Sequence, residues 1–275
     1  MRRRVPRLTR DYVDSATAAP QSDEPRDTST VAKQEKTDRQ AVIDSIRSKQ
    51  SKSENRRGLA IVGVCVLVAV LIVGAAAFKP IKDWYDLRAF SSDSLTDIGA
   101  EATSCQEVIT KKADGNQDHV EVGTPMTYPD APPAFGSHWN MWDTMDRKLY
   151  TESDRPELGE LVHNLEHGFT ILWYDETIAD SSEKMDELRG IASKLQGTTD
   201  LRDKFKAVPW TSADGEAFPE GQHVAFTHWS VGGSGETDPA KQVGVWQYCS
   251  DLSGAALDTF MKDYPYTDSP EPTVV

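Results

Sequence analysis

Residues 156–175 read Pro156-Glu-Leu-Gly-Glu-Leu-Val-His-Asn-Leu-Glu-His-Gly-Phe-Thr-Ile-Leu-Trp-Tyr-Asp175, and the fold class turns on a change of period within them. In the first half, Leu158, Leu161, Val162 and Leu165 recur at helical spacing, which predicts an amphipathic helix. Gly168 suits the left-handed residue that ends one. Phe169 to Tyr174 then form an unbroken β-prone or apolar run, the pattern of a buried strand. At the junction stand His163, Glu166 and His167, and the two histidines, four apart, share one helical face.

Downstream, Asp180 with Glu183 has capping-box spacing for a second helix. Met185, Leu188, Ile191, Ala192 and Leu195 form its apolar face, and Gly197 marks its end. Thr199 to Lys206 suggests a further short helix. Ala207-Val-Pro-Trp210 is too short and too marked by proline for a central strand. His223–Val231 and Gln242–Cys249 alternate as two strands of a hairpin, joined by the Gly-rich stretch 232–239. Val224, Phe226 and His228 share one face of the first strand, opposite Ala225, Thr227 and Trp229. Ser253 caps a last helix carrying Leu257, Phe260, Met261 and Tyr264, and Pro265 stops it.

Upstream, Asp118 to Val122 alternates like a strand. The Pro-rich stretch 128–138 is a loop that delivers His138, Trp139 and Trp142 ahead of the opening helix. The expected fold is α+β, one small and mostly antiparallel sheet with packed helices, over residues 92–265. A flexible tail is expected from 266 to 275.

The first 57 residues carry a net charge of +5, residues 79–275 carry −19, and the whole chain carries −14. Between these parts, Gly58–Phe78 is 21 residues without a charge. At 1.5 Å per residue it spans about 31 Å, the thickness of a bilayer's hydrocarbon core. A cleaved signal peptide has a shorter apolar region and a shorter basic segment before it. The expectation is therefore a single transmembrane helix over 58–78, behind a basic leader, 1–57, that is largely disordered apart from a marginal helix over Lys36–Asn55, where Ala41, Val42 and Ile46 make a thin apolar stripe.

Lys49, Lys52, Arg56 and Arg57 on one side of the run, against Lys79 and Lys82 on the other, place the leader in the cytoplasm. The C-terminal domain then lies outside the cell membrane, with Trp84 and Tyr85 as an interfacial anchor. Its acidity excludes nucleic acid as a partner, since binding there needs a basic footprint. The lipid bilayer, met through residues 58–78, is one expected partner, and a protein of the cell envelope is another. Oligomeric state is not written in the sequence. Of three cysteines, Cys65 lies in the apolar run. Cys105 and Cys249 are expected to pair in an oxidising compartment.

Several blocks together resemble one family. They are His119-Val120, then Pro132-Pro133 with Gly136 and His138, then Trp142, then Leu161-Val-His-Asn-Leu-Glu-His-Gly168. The chain is identified on these, over roughly residues 105 to 263, as a member of the domain of unknown function 3105 family. That resemblance implies an actinobacterial protein with one N-terminal membrane anchor and a basic cytoplasmic leader, and it implies no reaction. Two stretches depart from the family's pattern. Pro132-Pro-Ala-Phe-Gly-Ser-His138 replaces Pro-Pro-Thr-Ser-Gly-Pro-His, and Thr227-His-Trp-Ser230 replaces Thr-Ala-Trp-Gly. The second adds the His228 side chain, which would fill or block a site at that corner.

Three readings of the cluster follow. In the first, His163, His167, His138, His119 and Glu166 form a polar network inside a structural or interaction module of the envelope. In the second, they bind a transition metal, zinc or copper. His119 and His138, with His228 behind them, are the candidates for a further ligand, and Met141 and Met145 are thioethers suited to Cu(I). In the third, His163-Asn-Leu-Glu-His167 matches the H-x-x-E-H pattern of inverted zinc peptidases, with Glu166 as base of a metal-dependent hydrolase. The first is the expectation and the others are its alternatives. There is no phosphate-binding glycine loop, no Cys-x-x-Cys and no serine nucleophile elbow.

Overall fold

A computed structural model describes residues 28–274, so the leader's residues 1–27 lie outside the described residues. The chain divides into two compact units at Ala75. A long helix, α1, runs Thr28–Leu87. The leader from Thr28 onward is thus helical, which includes the stretch 36–55 expected to form a marginal helix. Residues Glu35–Phe78 of α1 are long and apolar enough to cross a membrane, with mean hydropathy 3.0 in their most apolar window and none of it buried. Valine, leucine and isoleucine point outward all round the part of α1 from 59 to 78. A helix apolar on every side needs an apolar surrounding.

The second unit is α+β, and its main sheet is mixed. Strands β1 (Ile109–Lys112), β4 (Thr170–Tyr174), β5 (Phe205–Pro209), β6 (Val224–Ser230) and β7 (Val243–Cys249) lie in the order β1-β7-β6-β4-β5. Three of its pairings are antiparallel, but β4 and β5 run parallel. The parallel pair arises because the chain leaves β4 through α3 (Glu176–Ala179) and α4 (Ser182–Lys194) before re-entering the sheet. A crossover of that length returns the chain to the same end of the sheet. Two residue pairs, His119–Val120 (β2) and His138–Trp139 (β3), form a small parallel sheet of their own.

Burial on both faces of the sheet explains the layers. On β4, Leu172 and Tyr174 face a core built with Leu188 and Ile191 of α4 and with Leu257 and Phe260 of α5 (Gly254–Asp263). Ile171 and Trp173 face the opposite core, where α2 (Leu158–Glu166) contributes Leu161, Val162 and Leu165. Alternation along β6 does the same, since Val224 and Phe226 join the first core while Ala225 and Trp229 join the second.

Several local expectations change. The cap of α4 is Ser181, whose hydroxyl accepts from the Lys184 N–H, rather than Asp180. The stretch 199–206 is one 3-10 turn, Leu201–Asp203, followed directly by β5. Ala207–Pro209 belong to β5 at the edge of the sheet, which agrees with their reading as no central strand, and Pro209 is its last residue, where a missing N–H is tolerated. The tail beyond Pro265, expected to be loose, packs. The Asp268 carboxylate accepts from the Ser230 hydroxyl and from the N–H groups of Val231 and Gly233. Lys204, buried beneath it, donates to the carbonyls of His167, Pro272 and Val274.

Cys105 and Cys249 form a disulfide across 144 residues of sequence. It ties the segment before β1 to the end of β7. The chain-entropy cost of closing so long a loop gives an expected loss of about 4–5 kcal/mol in Cys105→Ser. Denaturant unfolding of that variant, and of the unmutated chain with and without reductant, measures it.

Candidate metal centre

Two local features bring four side chains together. Register in the small sheet sets His119 directly beside His138. One turn of α2 sets His163 beside Glu166, three residues on. These four are one group whose ligand atoms all lie within 4.8 Å of one another.

The converging atoms are three imidazole Nε2 and one carboxylate oxygen. His119 Nε2 lies 3.4 Å from His163 Nε2, 3.3 Å from His138 Nε2 and 3.5 Å from Glu166 Oε2. Glu166 Oε2 lies 3.0 Å from His138 Nε2 and 4.0 Å from His163 Nε2. Four ligands at the usual 2.0–2.1 Å around a tetrahedral ion would be about 3.3–3.4 Å apart. The measured separations bracket that value.

Tautomers follow from the backbone. His138 Nδ1 is 2.8 Å from the Gly136 carbonyl, and His163 Nδ1 is 2.6 Å from the Trp139 carbonyl. A carbonyl only accepts, so each Nδ1 carries the proton and each neutral ring turns its Nε2 lone pair inward. In the neutral form neither His138 nor His163 has a proton to give Glu166. Its Oε2 is buried without a hydrogen bond, while Oε1 accepts from Gln117 at 2.6 Å.

Burial pushes His163 down to about 4, with the charges of His138 and His119 adding to it and the Trp139 carbonyl and Glu166 opposing. For Glu166, burial acts upward, but the Gln117 amide and the imidazoles beside it outweigh it and hold the group below its ordinary value. Near neutral pH the site therefore presents a neutral His163 and an ionised Glu166, the forms that bind a metal.

His167 belongs to a neighbouring group rather than to these four. Its ring lies 4.4 Å from that of His163, but its Nε2 faces Glu271 Oε2 at 3.4 Å. Burial, then the charge of His163, pushes it down to about 3, and its Nδ1 has no hydrogen-bond partner. The H-x-x-E-H pattern thus divides, with His163 and Glu166 converging on one point and His167 turned to the tail. Nor does His228 crowd the centre. It is buried between the Phe169 carbonyl, 3.3 Å from Nδ1, and the Asp268 carbonyl, 2.8 Å from Nε2. Three imidazoles and a carboxylate already supply four donors, so the arrangement calls for no sulfur from Met141 or Met145.

Residues with no sequence signal support the site. Asn164, between His163 and Leu165 of α2, is buried and clamps the loop before it. Its Oδ1 accepts from the Asp143 N–H at 3.1 Å, and its Nδ2 donates to the Asp143 carbonyl at 2.7 Å. Lys206, fully buried, donates to the carboxylate of Asp143 and to the Thr144 carbonyl. A side chain on Gly159 would meet Trp139, whose carbonyl orients His163, because a Cβ there would lie 2.6 Å from the indole. Of these positions only the small residue at 159 could have been suspected, as a point of close helix packing.

A family model described as "Protein of unknown function (DUF3105)" matches residues 119–274, more than half of the chain. No curated protein and no solved structure matches it. The matched span begins at His119 and contains all four converging residues.

Replacing Asn164 with leucine removes both bonds to Asp143 while keeping the volume. The expected loss is about 1–3 kcal/mol, because a buried N–H and C=O lose their partner. Chemical unfolding of Asn164→Leu checks it.

Proposed function

The chain belongs to the DUF3105 family, whose description assigns no activity, and from the site we propose that its second unit binds one divalent transition-metal ion. The ligands in this reading are His119, His138, His163 and Glu166. The observation that carries it is the meeting of three imidazole Nε2 atoms and one carboxylate oxygen within 4.8 Å of one another. At least two of the imidazoles are fixed with Nε2 inward by backbone carbonyls. Electron pairs that face one another repel, three of these groups are buried, and a cation removes the repulsion. Outer-shell hydrogen bonds that fix ring orientation are characteristic of metal-ligating histidines.

Imidazole and carboxylate donors suit zinc and Cu(II), and the absence of sulfur from the converging set disfavours Cu(I). Glu166 stands among the donors rather than beside them, which supports binding over the hydrolase alternative with Glu166 as base. Four protein ligands complete a tetrahedral shell, the arrangement of binding and structural sites. A polar network without metal, the module reading, would leave Glu166 Oε2 buried and unpaired.

We also place this unit outside the cell membrane, with α1 as anchor and the basic leader in the cytoplasm. The apolar stretch within Glu35–Phe78 and the joined Cys105 and Cys249 support this placement. A reporter enzyme active only outside the cytoplasm, fused after residue 275, should be active, and fused after residue 57, inactive. The reverse pattern would overturn the orientation.

The full chain, purified in detergent and offered zinc or Cu(II), should retain about one equivalent after desalting. His163→Ala and Glu166→Gln should each lose it, with elemental analysis as the readout. A metal-free unmutated chain under both conditions sinks the proposal.

A further inference from the structure

The four ligands are held unequally. Side chains of His138, His163 and Glu166 are 0%, 3% and 1% exposed, whereas that of His119 is 36% exposed. Each buried ligand is also fixed from behind: His138 by the Gly136 carbonyl, His163 by the Trp139 carbonyl and Glu166 by the Gln117 amide. Among the described residues, His119 has no hydrogen bond of that kind. Its ring makes edge contacts with the rings of His138 and His163, at 4.5 and 4.7 Å between centroids.

The backbone beneath it is equally light. His119 sits on a strand of two residues, and the bonds that hold this strand fall on either side of it. The His138 N–H donates to the Asp118 carbonyl and the Asn140 N–H to the Val120 carbonyl. A ligand with solvent on one side and no outer-shell bond is the one whose detachment costs least.

Building on the metal-binding reading, we propose that the ion is reached and exchanged through the position of His119. One small nitrogen donor from solvent, an imidazole, can take that position while His138, His163 and Glu166 keep the ion. The step is a ligand substitution without redox change. The His119 Nε2–metal bond breaks, the incoming nitrogen supplies the replacing electron pair, and His119 leaves as neutral imidazole into solvent. This makes the site an exchangeable centre, suited to acquiring or passing on an ion, rather than a sealed structural one.

The test uses the full chain in detergent, loaded with Co(II), whose visible bands report the number and kind of its ligands. His119→Gly should still bind one equivalent, at least about 10-fold more weakly, and millimolar imidazole should restore the affinity and the bands. His138→Gly, which opens a gap with no path from solvent, should lose the ion and not be restored. In the unmutated chain, imidazole should accelerate loss of cobalt to a chelator. The proposal is overturned if imidazole leaves that rate unchanged, or if the two variants respond alike. An unmutated chain that takes up no cobalt, zinc or Cu(II) would instead overturn the metal reading itself.

Discussion

The close approach of three imidazole Nε2 atoms and one carboxylate oxygen is what the loops, helix and tail around this site hold in place. Three Nε2 atoms and Glu166 Oε2 lie close together, with His138, His163 and Glu166 buried and His119 open to solvent. Left to themselves, the imidazoles would rotate to present N–H groups to the carboxylate. The carbonyls of Gly136 and Trp139 prevent this for His138 and His163 by claiming the proton on the other nitrogen. These carbonyls are placed by the Pro-rich loop and by β3, so an irregular stretch of backbone sets the protonation of the site. The Pro-rich composition suits that role, because such a loop gives up less entropy on ordering.

Rigidity behind the site comes from a second set of polar groups. Asn164 ties α2 to the loop at Asp143, and Lys206 ties the same aspartate to β5. Lys204 holds the end of α2 to the C-terminal segment through three carbonyls, and burial lowers it to about 8. Asp268 and His228 fasten that segment beneath β6. A buried charge destabilises unless it is paired or hydrogen-bonded, and each of these is. The helix end carrying Glu166 and His167 is thereby held from the sheet, the loop and the tail.

Much of the element plan was readable from local pattern. The helix over 158–166, the strand after Gly168, the hairpin of β6 and β7 and the Ser253-capped α5 all follow from period and punctuation. Harder to read was the parallel pairing of β4 with β5. It depends on where a crossover returns the chain, and nothing in Phe205–Pro209 encodes its partner. Lys204 and Lys206 disguised that strand further, because lysine is seldom buried and these two are. The tail misled for a similar reason. Its Pro, Asp and Glu read as solvated, yet Asp268 is the acceptor for three donors on β6 and the turn after it.

For the site itself, the sequence named His119, His138, His163 and Glu166, which the fold brings together, and with them His167, which it turns to the tail. His163 and Glu166 are fixed as neighbours by helical periodicity, since three residues make nearly one turn. Joining them to His119 and His138 required a two-strand register formed 25 to 44 residues upstream of His163, a distance over which no periodicity carries. His167 shows the limit most clearly. Its spacing from His163 is right for a shared ligand, but the tail residue Glu271, packed against it, claims its Nε2 side. Helical spacing determines which side chains share a face, and only tertiary packing decides what that face meets.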